Sequence, residues 1–168
     1  MTLHLVRHGR PLRDPGRPAS AWELDPAAYD DVWALRDRLP AGAAWCSSPE
    51  PKALATAELL TDGDIGVVDD LREPERAAGW LEDFEDRVRS AFADPTLPAA
   101  PGWEPLEACR DRVVPAVRRL LDVHADQDLV LVGHGTAWTV LAASLTGAPP
   151  DLARWAASTT PDLWTLDP

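Results

Sequence analysis

Two short apolar runs constrain this chain more than any other feature. Residues 3–6, Leu-His-Leu-Val, lead straight into Arg7, His8 and Gly9, and residues 129–132, Leu-Val-Leu-Val, lead into Gly133, His134 and Gly135. Such runs, rich in leucine and valine and bounded by glycine and polar residues, read as strands buried in a largely parallel sheet. Weaker strand patterns lie at 44–47 and 65–68.

Helical patterns fill the intervals. Asp25 and Pro26 have the character of an N-cap and first helical residue, followed by Tyr29, Val32, Leu35 and Leu39 at helical spacing, with Pro40 closing the segment. Ser48 and Pro49 repeat that start signal before a helix to about Leu60. Leu81, Phe84, Val88 and Phe92 form the next stripe, and a proline-rich loop follows at 94–102.

The longest pattern carries Leu106, Cys109, Val113, Val117, Leu120 and His124 on one face; Pro115 within it lacks an amide donor and is expected to kink or split the helix near Asp111. A short apolar helix over 136–145 ends at Gly147 and Pro149. Strands alternating with helices predict an α/β fold, a three-layer α/β/α sandwich with a mostly parallel central sheet, as a single domain over residues 1–168. Ligands of such sheets bind outside the carboxyl ends of the strands, where His8, His134 and the turn after Ser47 fall.

Charge narrows the ligand. With 28 acidic against 16 basic residues the net charge is −12, which repels nucleic acid and anionic membranes while leaving room for a small anion where positive charge is concentrated. Cys46 and Cys109 fit neither a disulfide framework nor a metal-ligand spacing and read as buried thiols. No secretory signal or membrane-spanning run is evident, so a cytoplasmic protein is expected.

Glycine after each histidine permits close backbone approach, and a helix starting just beyond His134 aims free amides at the same crevice. The Arg7 guanidinium can grip two phosphate oxygens at once, so a phosphate ester is the natural ligand. A neutral histidine can attack phosphorus, dividing one hard step into two. His4, inside a strand, and His124, on a helical stripe, take structural readings.

The segments "LVRHG", "SSPEPKALATA" (47–57), "LRE" (71–73) and "VLVGHG" (130–135) together resemble the ordered motifs of the histidine phosphatase superfamily, the phosphoglycerate mutase-like proteins. The resemblance implies a phosphatase in which His8 is phosphorylated and Arg7 and His134 hold the phosphoryl group; Gly135 at the helix start is a further phosphate-binding candidate, and with no recognisable metal-ligand spacing neither metal nor cofactor is expected. It implies Glu73 as the acid that protonates the leaving oxygen and then activates water. Glu75, Glu82 and Asp83 are close rivals, and Arg76 stands where relatives often carry a glycine.

Lys52, the one lysine in an arginine-rich chain, occupies the place of a second clamp arginine. Lysine keeps the charge but offers a point contact instead of a planar fork. A cation in the first turn of a helix is disfavoured unless an anion is near, so Lys52 is expected to bind phosphate.

The segment around 74–103 leaves room for only a short lid, flanked by Trp80 and Trp103, which favours a hydrolase over a mutase. Arg10 and Arg13 are candidates for substrate selectivity. The expected substrate is a small phosphorylated metabolite; a phosphohistidine protein phosphatase and a catalytically weak phosphate-binding protein are the alternatives.

Overall fold

Side chains alternate across a strand, and this alternation organises the protein. In the computed structural model, which describes residues 1–77 and 81–167, Leu3 and Leu5 of β1 (Leu3–Arg7) and Leu129 and Leu131 of β4 (Leu129–Gly133) point to one face. There they meet Cys109, Val113 and Val117 of α4 (Leu106–Val123) and Trp138 and Leu141 of α5 (Gly135–Thr146). Val6, Val130 and Val132 point the other way, onto Val32 of α1 (Tyr29–Trp33) and Ala53, Ala57 and Leu60 of α2 (Pro51–Leu60). Strands apolar on both faces thus acquire helices on both faces.

Among the described residues the sheet has five strands in the order β3 (Gly66–Val67), β2 (Ala44–Ser47), β4, β1, β5 (Asp162–Leu166). All neighbours are parallel except β1 and β5, so the fold is α/β with a mostly parallel sheet flanked by helices. The remaining helices are α3 (Phe84–Ala93) and α6 (Leu152–Ala157). No helix among the described residues is long and apolar enough to cross a membrane.

Several local expectations are corrected. The segment 25–40 is not one helix but α1 between two 3-10 turns, Pro26–Ala28 and Arg36–Arg38, although the Asp25 carboxylate does accept the Ala27 amide at 2.9 Å. Tyr29 is exposed, so a narrow strip around Val32 and Leu35 is left to hold a segment too short to be stable alone. Helix α2 starts at Pro51, because the Ser48 amide is still donating to the Val132 carbonyl at 2.9 Å as an extension of the sheet.

Pro115 does not split α4: buried side chains on both sides of it, Cys109 and Val113 before and Val117 and Leu121 after, anchor both halves to the same core. β5 and α6 have no counterpart in the sequence reading. β5 is an edge strand with one buried side chain, Trp164, and so lacks the continuous apolar run that marks β1 and β4.

Gly133 is required by packing. A Cβ there would lie 2.5 Å from Cζ2 of Trp138, whose ring is fully buried and whose Nε1 donates to the Val6 carbonyl at 2.9 Å. The ring cannot yield without losing that bond, so Gly133→Ala is expected to destabilise the protein by about 2 kcal/mol, read as a lower urea midpoint with unchanged slope.

Candidate active site

Register delivers the histidines. Arg7 lies opposite Gly133 and Ser47 opposite Val132, so His8, Ser48 and His134 leave three adjacent strands along one edge of the sheet. The His8 amide extends the ladder by donating to the Gly133 carbonyl at 2.9 Å. The two imidazoles meet edge to face, centroids 5.2 Å apart.

His8 is nearly inaccessible, and its Nδ1 lies 2.7 Å from the Gly9 carbonyl. A carbonyl can only accept, so Nδ1 carries the proton and Nε2 keeps its lone pair. Burial, reinforced by the charges of Lys52 and Arg7, pushes the His8 pKa down to about 3 despite that carbonyl. The ring is therefore neutral and its outer nitrogen nucleophilic across the physiological range.

His134 Nε2 lies 2.8 Å from Ser48 Oγ and 3.4 Å from Glu50 Oε1. Burial, followed by the influence of His8 and the charges of Lys52, Arg76 and Arg7, holds its pKa well below the usual histidine range.

Arg7 and Gly135 belong together. A Cβ on Gly135 would lie 3.2 Å from Arg7 Nε and 3.3 Å from Cζ, so the guanidinium packs along the glycine at the start of α5. Arg7 Nη1 donates to the Ser158 carbonyl at 2.9 Å and also bonds the Ser158 hydroxyl. Burial lowers the Arg7 pKa, with Glu73 and Asp162 opposing. A guanidinium nevertheless stays charged.

Lys52 is buried rather than solvent-facing. Its ammonium donates to the Ala19 carbonyl at 2.7 Å and pairs with Glu50, a residue the sequence reading passed over. The anion that a first-turn lysine calls for is thus partly supplied by the chain itself. Glu50 also accepts the Glu73 amide through Oε1 at 2.9 Å. Burial raises the Glu50 pKa, against the opposing pull of Lys52. The only signal for Glu50 in the sequence was an acid two residues before a unique lysine.

Glu73 is separated from its rivals by burial. Its Oε1 accepts from Arg76 Nη2 at 3.1 Å, and its charge acts on Arg7, whereas Glu75 and Glu82 are exposed and Asp83 pairs with Arg87 on the surface. Arg112 of α4 holds the segment in place. Its guanidinium donates to the carbonyls of Asp70, Arg72 and Glu73 at 2.7, 2.9 and 3.1 Å and is itself fixed by Glu104.

Arg10 pairs with Asp25 at 2.9 Å on the surface, while the charge of Arg13 acts on Arg7. Trp103 is buried against Phe84, with ring centroids 5.8 Å apart. Trp80 lies outside the described residues.

Buried polar groups normally find partners, so clustered exceptions mark a site. Among the described residues six buried side-chain nitrogens or oxygens lack one, and four of them are here: Arg7 Nε, Glu73 Oε2, Arg76 Nε and His134 Nδ1. With the first-turn amides of α5, they form an unsatisfied polar lining beside the neutral His8 imidazole. No group of three or more His, Cys, Asp or Glu among the described residues is arranged to hold a metal ion.

Comparison with known proteins gives the family and the fold. The family model of the histidine phosphatase superfamily (branch 1) matches residues 3–165. A mycobacterial hydrolase superposes with a TM-score of 0.78 at 24% identity, covering 98% of this chain and 90% of that one. Mycobacterial glucosyl-3-phosphoglycerate phosphatase gives 0.78 at 22% identity, covering 98% and 88%. A phosphoserine phosphatase mutant from Entamoeba histolytica, in complex with phosphoserine, gives 0.75 at 15% identity, covering 98% and 89%. At these identities the likeness is one of fold. No curated protein matches the sequence.

Proposed function

The chain belongs to the histidine phosphatase superfamily, and from that premise we propose that it hydrolyses phosphate monoesters of a small metabolite through a phosphohistidine on His8. The observation that carries this reading is the cluster of four partnerless polar atoms beside a neutral, tautomer-defined imidazole. Three of those atoms, on Arg7, Arg76 and His134, suit the oxygens of a phosphoryl group, and the fourth, Glu73 Oε2, suits a proton in transit.

In the first step His8 Nε2 attacks phosphorus, the P–O bond to the leaving group breaks, and Glu73 protonates the departing oxygen. In the second, Glu73 takes a proton from water, the hydroxyl attacks the phosphohistidine, and the P–N bond breaks to release phosphate. Arg7, His134 and the amides at Gly135 stabilise charge on the non-bridging oxygens in both steps, with Lys52 adding positive charge beside His8. These groups supply the electrostatic work without a metal, so activity is expected to survive a chelator.

A small substrate is preferred because His8 and His134 are almost wholly buried, which admits a slim phosphorylated end more easily than a phosphorylated side chain on a folded protein. The phosphatase neighbours named for glucosyl-3-phosphoglycerate and phosphoserine support the same class. Rapid quench with a radiolabelled phosphate ester should trap an acid-labile, base-stable adduct on the wild-type protein. Turnover across a panel of phosphorylated metabolites then ranks substrates; turnover without any adduct would overturn the mechanism.

A further inference from the structure

We infer that Arg76 is the second guanidinium of the phosphoryl clamp, acting with Arg7 and doing the work that Lys52, engaged by Glu50, only partly performs. The inference rests on the phosphatase reading and deepens it.

An ammonium has three donors, and Lys52 directs one to Glu50 and one to the Ala19 carbonyl. Its charge is largely answered inside the protein, and the planar fork needed for two oxygens is missing.

Arg76 supplies that fork. It approaches from the segment after Glu73, and its guanidinium carbon lies to one side of the Phe84–Trp103 ring pair, 4.9 Å from the centroid of Phe84 and 5.0 Å from that of Trp103. Cation–π contact with two rings holds the guanidinium in place while leaving its other edges open for hydrogen bonds. Among the described residues both of its hydrogen bonds leave from one terminal nitrogen, to Glu73 Oε1 at 3.1 Å and to Thr136 Oγ1 at 2.9 Å, and its Nε is buried without a partner.

Thr136 lies in the first turn of α5, so Arg76 sits at the positive end of a helix and acts electrostatically on both Arg7 and His134. A cation held there against the dipole, and beside another guanidinium, calls for an anion. Four cations, Arg7, Arg13, Lys52 and Arg76, act here against the carboxylates of Glu50, Glu73 and Asp162, with both histidines biased to neutrality. A phosphoryl dianion answers that excess and the partnerless nitrogens together.

The test is binding of inorganic phosphate by calorimetry, beside kcat and KM for p-nitrophenyl phosphate. Arg76→Gln should weaken phosphate binding about 10- to 100-fold, the range for one charged hydrogen-bonding group. Arg76→Lys, which keeps charge and can keep the stack, should recover less than half of the loss on a logarithmic scale.

A merely structural Arg76 predicts unchanged phosphate affinity in whichever variant gives a cooperative melt, or full rescue by lysine; either result overturns the inference. Wild-type protein that binds phosphate through Arg76 yet turns over no ester would refute the hydrolase reading and leave the clamp standing. Wild-type protein that binds no phosphate would refute both.

Discussion

His8→Ala is expected to lower turnover of any accepted phosphate monoester by about four orders of magnitude or more, because removing a covalent nucleophile leaves only the binding and electrostatic part of catalysis. The labelled adduct should vanish with turnover, while inorganic phosphate should still bind, since Arg7, His134 and the amides at Gly135 are untouched. Unchanged turnover would end the mechanism.

The same residue sets a pH signature. With its pKa pushed to about 3 by burial and the neighbouring cations, His8 contributes no acid limb near pH 6.5 to kcat/KM. It does couple folding to pH. In the unfolded chain the ring takes up a proton around pH 6.5 and in the folded protein it resists until about 3, so the unfolded state binds more protons between those values and stability is lost as pH is lowered through that window. Between about pH 7 and about pH 4 the wild type should lose roughly 3 kcal/mol more than His8→Ala, read from urea midpoints. Equal losses would mean that His8 is not held neutral by its surroundings.

Glu73→Gln should lower kcat by about 10²- to 10⁴-fold for alkyl phosphates, the range expected when one general acid–base is removed. Its chemical fingerprint is the leaving group. p-Nitrophenolate departs without protonation, so with p-nitrophenyl phosphate the first step should be nearly normal and the phosphohistidine should accumulate, because no base activates water for the second. Quenched-flow adduct levels above those of the wild type would establish the role.

Glu50→Gln provides the contrast. It disturbs the Lys52 pair and the Glu73 amide contact rather than a proton-transfer step, so an activated leaving group should not rescue it. If Glu50→Gln, and not Glu73→Gln, accumulated adduct, the acid would be Glu50.

How much of this was legible beforehand varied with the kind of residue. β1, β2 and β4 could be located because strands buried on both faces leave contiguous apolar runs, and the strand-end placement of His8 and His134 followed from the glycines beside them. β5 was invisible because an edge strand with one buried side chain carries no such run. The segment 25–40 misled because its helical spacing overstated the apolar surface that the sheet buries; Tyr29 stays exposed. Pro115 misled in the opposite direction, since local propensity yields when both flanks of a helix are packed.

The sequence by itself determined the chemistry at the strand ends: an arginine, two histidines and their glycines, a lysine in place of an arginine, and an acid between them. Those are properties of residue type and spacing, and the chain carries them in order. Only the tertiary structure decided the partnerships. It sealed Lys52 against Glu50, turned Glu73 inward while its rivals faced solvent, and set Arg76 against Phe84 and Trp103 beside the first turn of α5. A charge acquires its role from which other charges share its desolvated space, and residues 50, 76 and 136 come to share that space through folding, with nothing in their sequence separation to announce it.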